Sequence, residues 1–419
     1  MVCRKICWSL GIPLILTVVC GLSPPPGAQA QYQFQIIHSF GGPGDGVSAD
    51  GLVMDGAGNL YGVSDGGPDD GGTVFELSPS ANGQWTEAIL HNFPDGDPSD
   101  GSGPIGRLAI DEAGNLYGVT VFGGDGQYCY EGDTCGTVYE VSPGANGEWT
   151  ESILYNFCSL PDCADGIHPL YAPTLGPGGS LYGAAGQIAF QLMPGSNGWT
   201  YNLLYTFSCN GECAVTSYLT LDGKGNLYGE ENWECCGRVF ALEPGQNGLW
   251  TEVDILDFSG LNGSQPIGGL TFHGGGLYGV TKFGGSKCAN VGGCGTVFEL
   301  TRGEGNNIVN EQVIWSFGGD GGAQGINPST WVAFNKQGDL FGVTGLGGDG
   351  ENGVVYGMRQ RPNGTWEYAV LHAFDGADGV DPNAGLLIDS KGNLYGTTGA
   401  GGQYGYGVAF ELSPVTQAN

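Results

Sequence analysis

One short phrase recurs along the whole chain and constrains its fold more than any other feature. Its first copy is Gly58-Asn59-Leu60-Tyr61-Gly62, and the seven copies are centred on Tyr61, Tyr117, Tyr182, Tyr228, Tyr278, Phe341 and Tyr395. A motif that returns about every fifty residues is typical of repeat architectures, in which one unit cannot bury its apolar face alone. The sequence therefore predicts seven structural repeats.

Each repeat contains four short apolar runs, which we call A, B, C and D. In the second repeat they cover 104–111, 115–120, 136–141 and 149–157. The runs are rich in β-branched and aromatic residues and are bounded by Gly, Asp, Asn or Pro, so they are predicted to be strands. Four antiparallel strands at this period form one propeller blade. The predicted fold is an all-β, seven-bladed β-propeller with four-stranded blades.

The seventh repeat contains no D run after its C run, and the N-terminal segment matches the missing strand. Five D runs place an aromatic residue eight positions before a closing Phe, as Trp85 and Phe93 do, and the fifth repeat has Val309 before Phe317 instead. Tyr32 and Phe40 have the same spacing. We expect 32–40 to close the ring, because closure removes an open sheet edge. The alternative is an open solenoid, which would need capping repeats.

Residues 1–30 are predicted to be a signal peptide. Two cations precede an apolar stretch over 10–22, and a cleavage site of the A-x-A type ends at Ala30. Lipidation at Cys20 is the alternative reading of this segment. We expect 31–419 to be a single exported domain, secreted, periplasmic or at the cell surface, with no membrane insertion after signal removal.

Composition excludes some partners. Lys and Arg total 12 against 43 Asp and Glu, which gives a formal net charge of −31. Nucleic acids and anionic membranes attract cationic surfaces, so neither is an expected partner. A glycan or a protein remains, and we expect the chain to be monomeric.

The cysteines beyond the signal peptide form five local pairs. In an exported protein this spacing favours disulfides, whereas a zinc site needs clustered Cys and His. The vicinal Cys235 and Cys236 can bond to each other or reach Cys209 and Cys213. All five pairs lie in B–C loops or D–A connections, which share one face of a propeller, here called the loop face. The pairs are Cys129/Cys135, Cys158/Cys163, Cys209/Cys213, Cys235/Cys236 and Cys288/Cys294.

The phrases Gly-Asn-Leu-Tyr-Gly-Val-Thr, Phe-Gly-Gly and Gly-Thr-Val-Phe-Glu-Leu recur in a fixed order. They are clearest over 114–141 and 275–300, with weaker copies over nearly all of 31–419. This pattern resembles the GloVer tandem-repeat family of exported bacterial proteins, often described as choice-of-anchor proteins. The resemblance implies export, surface or extracellular residence, and no established enzymatic activity. Many relatives carry a C-terminal sorting anchor, which the last residues of this sequence do not match.

The sequence contains no recognised catalytic motif. His38, His91 and His372 share one position in the D run, two residues before the closing Phe, and are expected to be structural. The repeated Asp of the A–B turn is expected to accept backbone N–H groups of its own turn. Its copies are Asp55, Asp111, Asp222 and Asp389.

Two D–A connections are candidate calcium sites, because each places three carboxylates on a flexible turn. Calcium takes six to eight oxygen ligands from such turns, although Asp-Gly is also ordinary turn chemistry and the bidentate Glu of an EF-hand is absent. Calcium is the one cofactor that the sequence suggests. The candidate ligands are Asp95, Asp97 and Asp100 in one connection, and Asp375, Asp378 and Asp381 in the other.

The fourth repeat breaks the pattern in its B–C loop. Acidic residues and Trp233 stand where five other repeats have Gly-Gly. Trp233 can stack on a sugar ring while Glu231 and Glu234 bond its hydroxyls; the alternative is drift of a repeat beside local disulfides. These residues are the candidate ligand-binding site.

The sequence thus favours a binding or structural role over catalysis, with a glycan or a protein recognised on the loop face. One alternative is a carbohydrate-active lyase or hydrolase, which would need paired carboxylates near the central channel. The other is a calcium-stabilised adhesion module.

Overall fold

The computed structural model describes residues 32–95, 99–126, 135–208, 215–231, 236–287, 294–302, 309–318 and 322–415. Within these residues, seven antiparallel sheets follow one another as the blades of a propeller. The predicted all-β, seven-bladed fold is therefore confirmed. The helical content of the described residues is three single turns of 3-10 helix, Pro161–Cys163, Pro177–Gly179 and Gln246–Gly248. None of the described helices has the length and apolarity needed to cross a bilayer.

The strands of each blade run from the central axis outward. Strand β1 (Tyr32–Ser39) belongs to the last blade. Blade 1 contains β2 (Val53–Met54), β3 (Leu60–Ser64), β4 (Asp70–Pro79) and β5 (Trp85–Pro94). Blade 2 contains β6 (Gly101–Ile110), β7 (Leu116–Gly123), β8 (Thr137–Pro143) and β9 (Trp149–Asn156). Blade 3 contains β10 (Thr174–Leu175), β11 (Leu181–Ala185), β12 (Ile188–Gly195) and β13 (Gly198–Thr206).

The remaining blades keep this order, with a divided innermost strand in two of them. Blade 4 contains β14 (Thr220–Leu221), β15 (Leu227–Glu231), β16 (Arg238–Pro244) and β17 (Trp250–Asp257). Blade 5 contains β18 (Ser264–Pro266), β19 (Thr271–His273), β20 (Gly276–Phe283), β21 (Thr296–Arg302) and β22 (Val309–Ser316). Blade 6 contains β23 (Ile326–Pro328), β24 (Ala333–Phe334), β25 (Leu340–Leu346), β26 (Val354–Gln360) and β27 (Trp366–Ala373). Blade 7 contains β28 (Leu387–Ile388), β29 (Leu394–Thr397) and β30 (Val408–Pro414), with β1 outermost.

The N-terminal strand closes the ring as the sequence predicts. Strand β1 pairs antiparallel with β30, from Tyr32 opposite Pro414 to Ser39 opposite Val408. It therefore supplies the D strand of blade 7 and ties the two ends of the described chain together. Pairing its backbone groups also removes an edge on which other chains could add strands.

One aromatic contact repeats at every junction between neighbouring blades and explains the last glycine of the motif. The closing Phe of one D run packs against the C-run aromatic of the next blade, as Phe93 does on Tyr139 with ring centroids 5.1 Å apart. That C-run ring also crosses over the motif glycine of its own blade. A Cβ on Gly62 would lie 2.6 Å from the ring of Phe75, so any larger residue would displace the ring.

The A–B turns lie on the face opposite the loop face and behave as predicted. Asp111 Oδ1 accepts the backbone N–H groups of Ala113 and Asn115, both at 2.9 Å, and its Oδ2 accepts the Asn115 side chain and the Tyr117 hydroxyl. The same bonds recur at Asp55, Asp222 and Asp389. The Asp, Asn and Tyr that recur in the motif thus stabilise the A–B turn. We call the side of the propeller that carries these turns the turn face.

D–A connections and B–C loops meet on the other side, which confirms the loop face. Short bridges join the two in blades 1, 4 and 7, between Val47 and Asp65, Val215 and Glu231, and Val380 and Ala400. Cys158 and Cys163 form a disulfide there, as the local pairing predicts. Cys135 and Cys294 are also disulfide-bonded. Cys129, Cys209, Cys213, Cys235 and Cys288 lie outside the described residues.

Candidate functional site

The structure places only part of the predicted ligand-binding loop. Trp233 and Glu234 lie outside the described residues. Glu231 ends β15, is fully buried, and forms an ion pair with Arg238, which also pairs with Glu252 and Asp254. Burial raises the pKa of Glu231 to about 6, against the opposing effect of the Arg238 charge. Its carboxylate is thus committed to a cation within its own blade.

The structure describes two of the three candidate ligands in the first predicted calcium loop. Asp95 is exposed, and Asp97 lies outside the described residues. Asp100 accepts the Gly101 N–H at 2.7 Å and lies 3.3 Å from His91 Nε2. Asp100 therefore faces a histidine of the preceding D strand.

The second predicted calcium loop uses its carboxylates on its own turn. Asp375 Oδ1 accepts the N–H groups of Ala377 and Asp378, and Asp378 Oδ2 lies 2.8 Å from His372 Nε2. The Asp381 side chain is exposed, and its backbone carbonyl accepts the Gly399 N–H. Calcium binding by either loop stays a prediction.

Seven equivalent positions surround the central axis, each two residues before the A-run residue that pairs with the motif aromatic. Three of these positions hold large side chains and four hold Gly or Ala. The large side chains fill the space around the axis that the small residues leave open. The seven are Gly51, Arg107, Ala172, Tyr218, Gly269, Trp331 and Gly385.

Arg107, Tyr218 and Trp331 contact one another although they come from blades 2, 4 and 6. The Arg107 guanidinium lies 4.6 Å from the centre of the Trp331 ring and 5.4 Å from that of Tyr218, and the two rings meet edge to face at 5.5 Å. Because these blades are not neighbours, their side chains can meet only at the axis. A Cβ on Gly385 would lie 2.2 Å from the Trp331 ring, so the small residues are required by this packing.

Arg107 is a cation without a carboxylate partner among the described residues. Its backbone N–H donates to the Tyr218 hydroxyl, while the guanidinium rests on the two aromatic rings. Burial lowers the pKa of Arg107, and the nearby Tyr218 opposes that effect. Cation–π contacts of this kind hold a guanidinium without an anion and leave its N–H groups available.

Two carboxyl groups lie on the loop-face side of these three side chains. Asp50 directly precedes Gly51, and its Oδ2 accepts the Gly106 N–H of the next blade at 2.8 Å. Glu230 lies at the loop-face end of β15, where its Oε2 accepts the Gly269 N–H at 2.9 Å and its Oε1 has no partner among the described residues. Both carboxyls are therefore held by backbone donors and not by cations.

Burial is the main cause of the raised pKa values of Asp50 and Glu230. It raises the pKa of Asp50 to about 6 and that of Glu230 to about 8, and in each case one backbone hydrogen bond opposes the rise. The pKa of Tyr171 is also raised, first by burial and then by Tyr218, Glu230 and Asp50. Tyr171 is thus close enough to interact electrostatically with both carboxyl groups. We call Asp50, Arg107, Tyr171, Tyr218, Glu230 and Trp331 the axial cluster.

The ligand-binding site predicted from the sequence contains Glu231, whereas the axial cluster contains its neighbour Glu230. Successive side chains of a strand point to opposite sides, so Glu230 turns toward Gly269 while Glu231 turns toward Arg238. The sequence signal that could have identified Glu230 was its position in the repeat. Glu230 replaces an apolar B-run residue such as Val63 or Val119, at a place where an acid has no structural purpose.

A second group of titratable residues lies near the rim of the propeller, between the D strands of neighbouring blades. His38 Nε2 lies 2.9 Å from Asp45 Oδ2 and 3.6 Å from Glu87 Oε1; we call these three residues rim cluster 1. His91, Asp100 and Glu151 repeat the arrangement at the next junction as rim cluster 2. In each cluster one potential ligand atom per residue lies within 4.8 Å of the others.

Solved structures that are similar to this chain share its fold at low sequence identity. An ancestral GH74 enzyme aligns with a TM-score of 0.58 and 13% identity, over 93% of this chain and 52% of the enzyme. The extracellular domain of a protein described as a hybrid two component system from B. thetaiotaomicron aligns with a TM-score of 0.53 and 12% identity, over 93% of this chain and 40% of that one. A protein from Lactobacillus plantarum aligns with a TM-score of 0.51 and 12% identity, over 84% and 98%. This chain thus spans about half the length of the first protein and two fifths of the second.

Sequence comparison gives a family but no characterised relative. No curated protein sequence matches the chain. The Gloeobacter/Verrucomicrobia repeat matches residues 26–232 and 289–419, which is most of the sequence and agrees with the resemblance seen in the repeated phrases. The chain belongs to the Gloeobacter/Verrucomicrobia repeat family.

Proposed function

We propose that this protein is an exported, non-catalytic recognition propeller that binds a glycan on its loop face, at the axial cluster. The observation that carries the proposal is the loss of repeat symmetry at the axis. Six polar or aromatic side chains of the axial cluster come from blades 1, 2, 3, 4 and 6, and none of them is repeated in the other blades. Ligand sites commonly form where elements converge on such a scaffold.

The chemistry of the cluster suits a neutral, hydroxyl-rich ligand. Glu230 keeps one oxygen without a partner, and the raised pKa values of Asp50 and Glu230 let each carboxyl donate or accept a hydrogen bond near neutral pH. Tyr171, which is only partly buried, supplies a flat apolar surface of the kind that pairs well with the C–H faces of sugars. The net charge of −31 makes the protein as a whole repel anions, which disfavours an anionic ligand.

Export is proposed from the N-terminal signal pattern, with two further supports. The Cys158–Cys163 disulfide is typical of oxidising compartments. One similar structure is described as an extracellular domain. Trp233 and Glu234, which follow Glu230 and Glu231 in the sequence, are proposed as additional contacts at the edge of the site.

A glycan array tests the proposal with the oxidised protein after removal of 1–30. We expect selective binding of neutral glycans, weakened at least about tenfold in Glu230→Met and Tyr171→Phe, since each change removes a hydrogen-bonding group worth about 1.4 kcal/mol or more to the complex. Trp233→Ala should weaken binding by about 1–3 kcal/mol if its ring stacks on the ligand. Asp389→Asn is the matched control on the turn face and should bind normally.

A carbohydrate-active enzyme is the second candidate, because Asp50 and Glu230 are two carboxyls with pKa values set apart by their surroundings. Such a pair can divide the roles of acid and base. The fold is also that of an ancestral GH74 enzyme. The test is release of new reducing ends or unsaturated products from a polysaccharide panel, with Asp50→Asn as the inactive control. Turnover that this substitution abolishes would replace the recognition proposal.

A further inference from the structure

We propose that rim clusters 1 and 2 are divalent transition-metal sites, each formed by one histidine and two carboxylates at a junction between blades. Zinc is the ion that this donor set fits best. The proposal is independent of the axial cluster, because the two rim clusters lie between outer D strands and share no residue with it.

The geometry brings three different elements together at each site. In rim cluster 1 the histidine comes from β1, the Asp from the following D–A connection and the Glu from β5 of the next blade. Rim cluster 2 repeats this with β5, the next D–A connection and β9. Nitrogen and oxygen donors within 4.8 Å of one another can converge on one ion with little movement.

Other junctions show that the fold does not require these charged residues. The position of His38 and His91 holds Trp315 at the junction of blades 5 and 6, where it stacks on Tyr368 at 4.5 Å. It holds His372 at the junction of blades 6 and 7, where the facing residue is Phe34 and the rings stack at 3.9 Å. A stacked pair of rings thus occupies the same position at these junctions, so two partly buried carboxylates beside a histidine need another explanation.

The clusters also contain buried polar atoms that lack a hydrogen bond among the described residues. Glu87 Oε1 in rim cluster 1, and His91 Nε2 and Glu151 Oε1 in rim cluster 2, are buried atoms that make no hydrogen bond among the described residues. His91 Nε2 lies 3.3 Å from Asp100 Oδ2 without forming one. Buried polar atoms are nearly always satisfied, so one unsatisfied atom in rim cluster 1 and two in rim cluster 2 favour an additional partner at each site.

The charge of the clusters favours a cation as that partner. Among the described residues no Lys or Arg pairs with any of the four carboxylates, so each site places two acids next to one imidazole. A divalent ion would balance the charge of the two acids at each site.

The donor set selects the class of ion and leaves room for it to enter. Imidazole nitrogen with carboxylate oxygen suits zinc and similar metals, whereas calcium prefers six to eight oxygens. Rim cluster 1 opens into a surface cavity of about 460 Å³, which is lined by His38, Asp45, Glu87 and the exposed Tyr404. This cavity provides an entry path and space for a water molecule as the fourth ligand.

Metal titration of the untagged, disulfide-intact protein tests the proposal, with chelator-treated protein and separate additions of Zn²⁺, Co²⁺ and Ca²⁺. We expect two equivalents of Zn²⁺ to bind, one per cluster, and Co²⁺ to give the visible absorption bands of a low-coordinate N/O site. Glu87→Gln and Glu151→Gln should each remove one equivalent. Each should weaken its site by more than about 100-fold, since even outer-shell partners cost about 10–100-fold.

The control variant is His372→Ala, which changes the same D-run position at a junction that lacks the second carboxylate. It should still bind two equivalents. Glu-to-Gln substitutions preserve size and polarity, and circular dichroism with thermal melting confirms that each variant folds. Absence of saturable Zn²⁺ binding, preference for Ca²⁺, or two equivalents retained in the Glu87→Gln/Glu151→Gln double variant would overturn the proposal.

Discussion

The turn face and the axis of this propeller are built from the same repeats but follow opposite rules. On the turn face, the Asp, Asn and Tyr of the motif make the same hydrogen bonds in blades 1, 2, 4 and 7. At the axis, equivalent positions hold Gly, Arg, Ala, Tyr or Trp, and their side chains differ from blade to blade. Residues that recur at the same position of the repeats maintain the blade. The axial residues, which differ from blade to blade, are the ones that we propose to contact a ligand.

The carboxylates of the two regions differ in acidity for the same reason. Burial raises the pKa of Asp55 and Asp111, but the hydrogen bonds from Asn59 and Asn115 and other turn donors outweigh it and leave the pKa below its ordinary value. Asp50 and Glu230 accept only one backbone hydrogen bond each. The effect of burial is larger than that of this bond, so the pKa of each group rises. A turn carboxylate is thus stabilised as an anion, whereas an axial carboxyl is poised to keep its proton.

The largest expected difference concerns packing. Trp331→Ala should lower the free energy of unfolding by about 3–5 kcal/mol, because it removes a buried indole that contacts Tyr218, Arg107 and Gly385. Trp149→Ala, at the half-buried start of an outer strand, is the matched control and should cost less. Denaturant unfolding measures both. Equal losses for the two variants would mean that the axis is no better packed than the rim.

The next difference concerns pH. The folded-state pKa of Glu230 is about 8 against an ordinary 4.5, so the folded protein keeps this proton and loses stability as pH rises from about 4.5 to about 8. Between pH 5 and pH 7 the wild type should lose about 2–3 kcal/mol more than Glu230→Gln, which has no proton to release. Urea unfolding of both proteins at the two pH values measures the gap. Parallel pH profiles would show that Glu230 is not buried as an acid.

The smallest difference is expected on the turn face. Asp111→Ala removes two backbone hydrogen bonds and two side-chain bonds on an otherwise exposed turn, and should cost about 1–2 kcal/mol. Asp55→Ala and Asp222→Ala should cost about the same, since their contacts repeat. Because the pKa of these groups is lowered, the contribution is present at neutral pH and is lost as pH falls through the folded-state value. Unequal losses in thermal melting would break the equivalence of the turns.

The sequence was sufficient for every feature that depends on one repeat or on the count of repeats. The seven blades, the closing strand at Tyr32–Ser39 and the role of the turn Asp follow from local spacing, and the structure confirms them. The axial and rim clusters join residues from different blades, such as Arg107 and Trp331, whose contact depends on the ring geometry. Their visible signs in the sequence were an acid in an apolar B-run position and a Glu two residues after the D-run Trp, as in Glu87 and Glu151.

Hydrogen–deuterium exchange with a bound glycan tests the central claim, that the axis of the loop face is the recognition site. The probe is the tightest neutral glycan from the array, at a concentration that saturates the oxidised protein. We expect slower exchange around the axial cluster, over 47–53, 169–174, 215–221 and 227–231, with no change in the turns over 55–59 and 111–115. Protection confined to those turns, with unchanged exchange at the axial segments, would contradict it.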